Sequence, residues 1–167
     1  MEKLYQAQYA SPIGTIEITA TPQTIISVLF IENEDAAPVN EADLPFCLQN
    51  CLQQLAEYFA GHRQTFDLPV TSSGTAFQEQ VWRHLQHIRF GRTLSYADIS
   101  FQLGNIGAIR AVGSANGKNK LLLIRPCHRV IGADGKLVGY AGSLWRKKWL
   151  LEHERKVEGT SQLTLFG

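Results

Sequence analysis

Cysteine is scarce in this chain: its 167 residues hold three, Cys47, Cys51 and Cys127. An odd number of thiols argues against a disulfide framework, so each cysteine needs its own explanation. No apolar run approaches the ~20 residues of a membrane span. The N-terminal MEKLYQAQYA lacks the apolar core of a secretory leader. A cytoplasmic protein with no membrane partner is the expectation. Internal repeats and low-complexity stretches are missing as well. With 44% hydrophobic and 19% charged residues, the composition is that of a soluble globular chain rather than a disordered one. The length suits one ordinary domain or two small ones sharing a core.

Basic residues are nearly missing from the first 70 positions. Lys3 and Arg63 stand there against nine acidic residues, a net charge of −7, whereas residues 71–167 carry fourteen basic and six acidic residues, a net +8. Such a split points to two regions with different work, the basic one facing a polyanion.

The first region reads as strands over Leu4–Tyr9, Thr15–Thr19 and Ile25–Ile31, broken by Ser11-Pro12 and Thr21-Pro22. An acidic loop follows over Glu32–Asp43. Leu48, Cys51, Leu52, Leu55 and Phe59 keep helical spacing up to Gly61. That spacing puts Cys51 on the apolar stripe. No histidine or further cysteine nearby completes a ligand set with Cys47, so no metal is expected. Phe66–Val70 reads as one more strand.

In the second region, Thr75 with Gln78 and Ser95 with Asp98 form capping pairs that open two helices. Phe77, Val81, Leu85 and Ile88 give the first its buried face. The second stops at Gly104, and Ala108–Asn116 follows after a tight turn, the outline of a helix-turn-helix. Leu121–Ile124 reads as a buried strand. Asp134-Gly135, between Arg129–Ala133 and Lys136–Tyr140, is a hairpin signal. Ser143 is placed to cap a last helix through about Glu154, with a polar tail after it. The organisation expected is α+β: a small strand-rich N-terminal α/β domain (1–70), a mainly helical domain with the helix-turn-helix and a buried active-site cysteine (71–155), and a tail (156–167).

Chemistry concentrates in Pro126-Cys127-His128-Arg129-Val130. A thiol reacts as its thiolate, and an unperturbed cysteine of pKa ~8.5 is little ionised at neutral pH. A neighbouring base and positive charge raise that fraction, and His128, Arg125 and Arg129 supply them. On an extended backbone, adjacent side chains point apart, so a water would have to bridge Cys127 and His128. Taken alone, such a pair is more often a structural cysteine beside a histidine.

The pair does not stand alone. Pro-Cys-His-Arg-Val resembles the active-site signature of the O6-alkylguanine-DNA alkyltransferases. Arg110-Ala111-Val112-Gly113-Ser114-Ala115 resembles their recognition helix, Asn119 the asparagine ahead of the active-site strand, Gly139-Tyr140-Ala141-Gly142 their substrate loop, and Trp149-Leu150-Leu151 with Glu154 their C-terminal helix. Order and spacing agree over residues 75–155.

The resemblance implies a monomeric DNA-repair protein that moves an alkyl group from guanine O6 in double-stranded DNA to its own Cys127, once and irreversibly, without cofactor. It makes His128 the base, acting through a water, with Glu154 orienting it. Tyr96 assists the leaving guanine, the backbone near Val130 and Ala141 reads the base edge, and Tyr140 walls the pocket. Arg110 is the side chain that replaces a flipped nucleotide, and the small residues Ala111, Gly113, Ser114 and Ala115, with Asn119, make the DNA face. Arg125 and Lys120 depart from the family pattern, which has an apolar residue and a proline there. Two other readings compete: a non-catalytic module that recognises alkylated DNA, which would lack Cys127, and a cysteine hydrolase, which would need an oxyanion hole that no glycine-framed turn here provides. Finally, Gln162-Leu163-Thr164-Leu165-Phe166 resembles the short motif by which bacterial proteins bind the DNA sliding clamp.

Overall fold

The computed structural model describes residues 2–32 and 40–166, with side chains as far as Thr160. The chain divides into two compact units, residues 1–72 with 120–124, and residues 73–119 with 125–167. The return of 120–124 to the first unit is not visible in the sequence, where the boundary reads as a single cut near residue 70.

In the first unit, β1 (Tyr5–Ser11), β2 (Gly14–Ala20) and β3 (Ile25–Ile31) form an antiparallel sheet in that order. Gly14, at φ 113°, makes the tight turn between β1 and β2. Ile16, Ile18, Ile25 and Val28 are buried against Leu48, Cys51 and Leu55 of α1 (Phe46–Phe59). Each such side chain contributes roughly 1.5–3 kcal/mol. Cys51 is therefore a core residue, its thiol pushed up to about 12 by burial. Cys47 Sγ is 3.6 Å from the Thr21 carbonyl.

Two expected strands shrink to single bridges. Val70 meets Ile25 and Leu121 meets Val28, both parallel. Pro69 offers its carbonyl to Ile25 N–H but has no N–H to extend the ladder. Beyond Leu122, which donates to the Val28 carbonyl, Leu123 turns to φ 70° and ends the extended run. Of the acidic loop, residues 33–39 lie outside the described residues, and Glu41–Asp43 is a single 3₁₀ turn.

The second unit follows its local signals closely. Both capping boxes close, with Thr75 and Gln78 opening α2 (Ala76–Leu85) and Ser95 and Asp98 opening α3 (Tyr96–Gln102). A 3₁₀ turn, Ile106–Ala108, leads into α4 (Ile109–Gly117), completing the helix-turn-helix. The expected hairpin after Arg129 does not form. β5 (Val130–Ile131) pairs instead, in parallel, with β4 (Leu94–Ser95). Asp134 and Gly135 do take positive φ, and Gly132 N–H reaches the Lys136 carbonyl, so the turn exists without a ladder. The carbonyls that would have extended it are bound by side chains: Tyr96 donates to Val138, and Lys147 to Val138 and Gly139.

The last helix, α5, runs Leu144–Phe166, well past Glu154. Arg155, Lys156 and Glu158 are good helix formers and the stretch holds no proline, so nothing stops it where a tail was expected. Ser143 does not cap it. This residue sits at φ 87° and its buried Oγ has no hydrogen-bond partner. Gln162–Phe166 falls outside the described side chains. No helix among the described residues is long and apolar enough to cross a membrane.

Candidate active site

Cys127 opens a 3₁₀ turn, Cys127–Arg129, rather than sitting in a strand. Pro126 fixes the backbone before it, and three contacts tie the turn down. Cys127 N–H reaches the Arg125 carbonyl at 2.7 Å, Arg129 N–H the Pro126 carbonyl at 3.0 Å, and Asn116 Nδ2 the Cys127 carbonyl at 3.4 Å. Asn119 Nδ2 holds the Arg125 carbonyl at 3.1 Å.

His128 and Glu154 are wholly buried, with His128 Nε2 at 2.7 Å from Glu154 Oε2. Arg129 grips the same carboxylate with Nε on Oε1 at 2.8 Å and Nη2 on Oε2 at 3.1 Å, while its Nη1 donates to the Ile88 carbonyl. Gly91 N–H, on a residue at φ 79°, adds a bond to Oε1 at 3.3 Å. Burial alone would raise the Glu154 carboxyl, but the hydrogen bond with His128 and the Arg129 guanidinium outweigh it and hold the group well below the usual carboxylate range. Glu154 is therefore ionised.

Burial lowers the His128 pKa; Glu154 pulls it up, Arg129 and Lys147 push it down, and the net shift is downward, so the imidazole is neutral at pH 7. A neutral ring that donates Nε2–H to Glu154 carries its lone pair on Nδ1, and Nδ1 has no hydrogen-bond partner. The arrangement is a carboxylate-oriented imidazole with its basic nitrogen free. Beside it, burial pushes the Cys127 thiol up to about 11, opposed by a hydrogen bond from Asn119 and by the charge of Lys147. The resting cysteine is a thiol, so it needs a base at the moment of reaction.

Lys147 has no counterpart in the sequence reading. Its side chain is 0% exposed, its Nζ lies 2.8 Å from the Val138 carbonyl and 3.1 Å from that of Gly139, and burial pulls its pKa down to about 8. One signal was available: Lys147, Leu150, Leu151 and Glu154 fall at helical spacing and share the inward face of α5. Asn116, four residues after the buried Val112, is a second residue found only in the structure.

The remaining expected site residues divide. Tyr96 Oη donates to the Val138 carbonyl at 3.1 Å, and burial raises its pKa, so it remains a phenol. The Tyr140 ring stands edge-on to His128 at 6.5 Å, its buried hydroxyl without a partner. Val130 is buried with its N–H already engaged by the Cys127 carbonyl, while Ala141 is exposed. On α4, Arg110, Ala111 and Ser114 are exposed and Gly113 is half-buried beside the Tyr96 ring. Ala115 turns inward at 2% exposure, its carbonyl accepting from Trp82 Nε1 at 2.8 Å. Asn119 is equally buried, because the backbone ahead of Cys127 needs its amide. These two support the site from inside rather than present a surface. Among the described residues no three metal-type side chains cluster.

Comparison with known proteins settles the family. The 6-O-methylguanine DNA methyltransferase DNA binding domain matches residues 76–156, and the ribonuclease-like domain of the same proteins matches residues 4–71. The chain belongs to the 6-O-methylguanine DNA methyltransferase family. Methylated-DNA–protein-cysteine methyltransferase of Mycolicibacterium paratuberculosis is 41% identical over 157 residues, covering 93% of this chain and 94% of that one. The constitutive enzyme of Bacillus subtilis is 43% identical, covering 90% and 95%. Among solved structures, Mycobacterium tuberculosis O6-methylguanine methyltransferase superposes with a TM-score of 0.83 at 38% identity, covering 99% of this chain and 100% of that one. The M. tuberculosis protein in complex with DNA gives 0.79 at 39% identity, covering 90% and 92%. For a methyltransferase of this family, the α+β fold, a strand-rich first unit before a helical second one, is the expected architecture.

Proposed function

We propose that this protein repairs alkylated DNA by transferring the O6-alkyl group of a guanine to Cys127. The observation that carries the reading is the buried Cys127-His128 turn whose imidazole is oriented by an ionised Glu154, in a chain otherwise aligned with cysteine methyltransferases. His128 Nδ1 takes the thiol proton through a water. Sγ then attacks the alkyl carbon in line with the C–O6 bond. An S–C bond forms, the C–O6 bond breaks, and its electron pair leaves on the guanine. Tyr96, kept as a phenol, donates to that anion after turning from the Val138 carbonyl. Tyr140 walls the pocket, and Ala141 with the backbone near Val130 reads the base edge. The thioether is stable, so each molecule acts once, and no step calls for a cofactor.

The DNA is double-stranded, and the target nucleotide must leave the stack to reach a buried thiol, at a cost of a few kcal/mol. Arg110 fills the gap it leaves, and Ala111, Gly113 and Ser114 let α4 approach a narrow groove. A cytoplasmic location accords with this work. Intact-mass spectrometry after mixing with an O6-methylguanine oligonucleotide tests the function: a gain of one methylene, located on Cys127, supports it, and an unchanged mass with bound DNA favours a recognition module instead.

The Gln162–Phe166 motif is proposed, on its resemblance alone, to dock on a bacterial sliding clamp. A binding titration with the wild-type tail and the L165A and F166A variants decides it, since binding that survives both substitutions rules the motif out.

A further inference from the structure

Arg125 stands where the family pattern has an apolar residue, and it does not face solvent. It is 7% exposed, and its guanidinium lies 4.6 Å from the centroid of the Trp82 ring, itself 5% exposed. Trp82 sits on α2, and its Nε1 donates to the Ala115 carbonyl of α4. The carbonyl of Arg125 accepts from Asn119, two residues beyond the end of α4. These contacts close a ring: α4, Trp82, Arg125, Asn119 and back to α4. Arg125 lies two residues before Cys127, so the ring joins the helix of the DNA face to the backbone that carries the nucleophile.

A leucine or methionine would fill the same space without burying a charge. A buried guanidinium costs desolvation, which burial expresses as a lowered Arg125 pKa, with Glu79 as its opposing charge. What arginine adds is a flat cation that stacks on the indole face and fixes the ring's plane, and with it the direction of Nε1.

We propose that Arg125 is a positioning residue which, through Trp82, locks α4 to the Cys127 turn so that a nucleotide extruded from DNA held on α4 arrives in line with the thiol. The inference rests on the alkyl-transfer reading. Extrusion loads α4, and a misplacement of about 1 Å between reacting groups can cost a hundredfold in rate. A free base imposes no such load.

The test compares two second-order rate constants: one for an O6-methylguanine duplex and one for free O6-benzylguanine. Both are normalised to the fraction of Cys127 alkylated at completion. R125M is expected to slow the duplex reaction about tenfold more than the free-base reaction, in keeping with the strength of a desolvated cation–π contact. W82F, which keeps an aromatic face but loses Nε1–H, should lower the same ratio. The double variant should be no slower than the slower single one, because both break one ring. If R125M is insoluble, R125K, which keeps charge without the flat stack, replaces it with the same sign expected. Equal slowing on both substrates, no slowing on either, or losses that multiply in the double variant would overturn the proposal. Failure of wild type to alkylate with either substrate would instead overturn the alkyl-transfer reading.

Discussion

His128 and Glu154, 26 positions apart, meet across 2.7 Å with neither side chain reaching solvent. Arg129 neutralises the carboxylate from the other side, so the imidazole need not be protonated to hold its partner. The proton-accepting nitrogen is thereby left on the side away from Glu154.

E154Q keeps the shape of this arrangement but removes the charge that orients and stabilises an imidazolium. Transfer to Cys127 should slow by about a hundredfold or more, the scale of general-base assistance. Single-turnover kinetics with free O6-benzylguanine measure it. A rate within a factor of about three of wild type would remove Glu154 from the mechanism.

C127A and C127S should end transfer while duplex affinity stays within about twofold, because the proposed contacts with DNA lie mainly on α4 and its surroundings. Electrophoretic mobility shifts and mass spectrometry on the same samples separate the two effects. Methyl loss from the oligonucleotide in C127A would refute the assignment.

Replacing Lys147 by methionine leaves the Gly139 carbonyl without its buried donor and the Val138 carbonyl to Tyr96 alone, and loosens the loop that carries Tyr140 and Ala141. Transfer should slow by roughly tenfold or more on free base and duplex alike. That pattern differs from Arg110→Ala, which should slow the duplex reaction alone, since only extrusion from a helix leaves a gap to fill.

Acid should weaken the fold in a recognisable window. The folded protein holds the His128 pKa below its ordinary 6.5, so as pH falls through 6.5 the unfolded chain takes up a proton that the folded one refuses. Stability is then present above pH 6.5 and declines below it. The depressed Glu154 carboxyl adds a second decline below its ordinary 4.5. Urea midpoints should fall between pH 7 and 5 in wild type, and fall less in H128Q. Parallel curves for the two would locate the loss elsewhere.

DNA affinity should drop steeply with salt, because the net +8 of residues 71–167 displaces counterions from phosphates. Titrations at low and physiological ionic strength that coincide would contradict a phosphate-led interface.

What could be read without coordinates was local or chemical. Thr75 with Gln78, and Ser95 with Asp98, act over three residues, so helix starts were legible from neighbours alone. The Cys127-His128 pair was legible as a candidate because few chemistries need it, its turn was not, and Glu154 was legible only through the family resemblance. Competition over distance was not. The hairpin after Arg129 failed because Tyr96, remote in sequence, and Lys147, on the following helix, bind the carbonyls it needed. Paired strands of two residues, as in β4 and β5, carry no alternation to detect. The small size of Ala115 suits an outer face, but the helix turns it toward Trp82. Lys147 carries no such signal in its residue type, since a lysine on a helix ordinarily reaches water.

The bridge between Val28 and Leu121 has an implication for how this protein tolerates rearrangement. Residues 120–124 complete the N-terminal unit although they belong to the stretch leading into Pro126 and Cys127. The two halves are thus not interchangeable cassettes. A gene cut near residue 72 yields a front piece short of the segment its sheet edge binds, and a back piece carrying Leu121 and Leu122 with no Val28 to bind them. Co-expressed, such pieces have reason to find each other by strand addition, and their reassembly would report on itself through the return of a reactive Cys127.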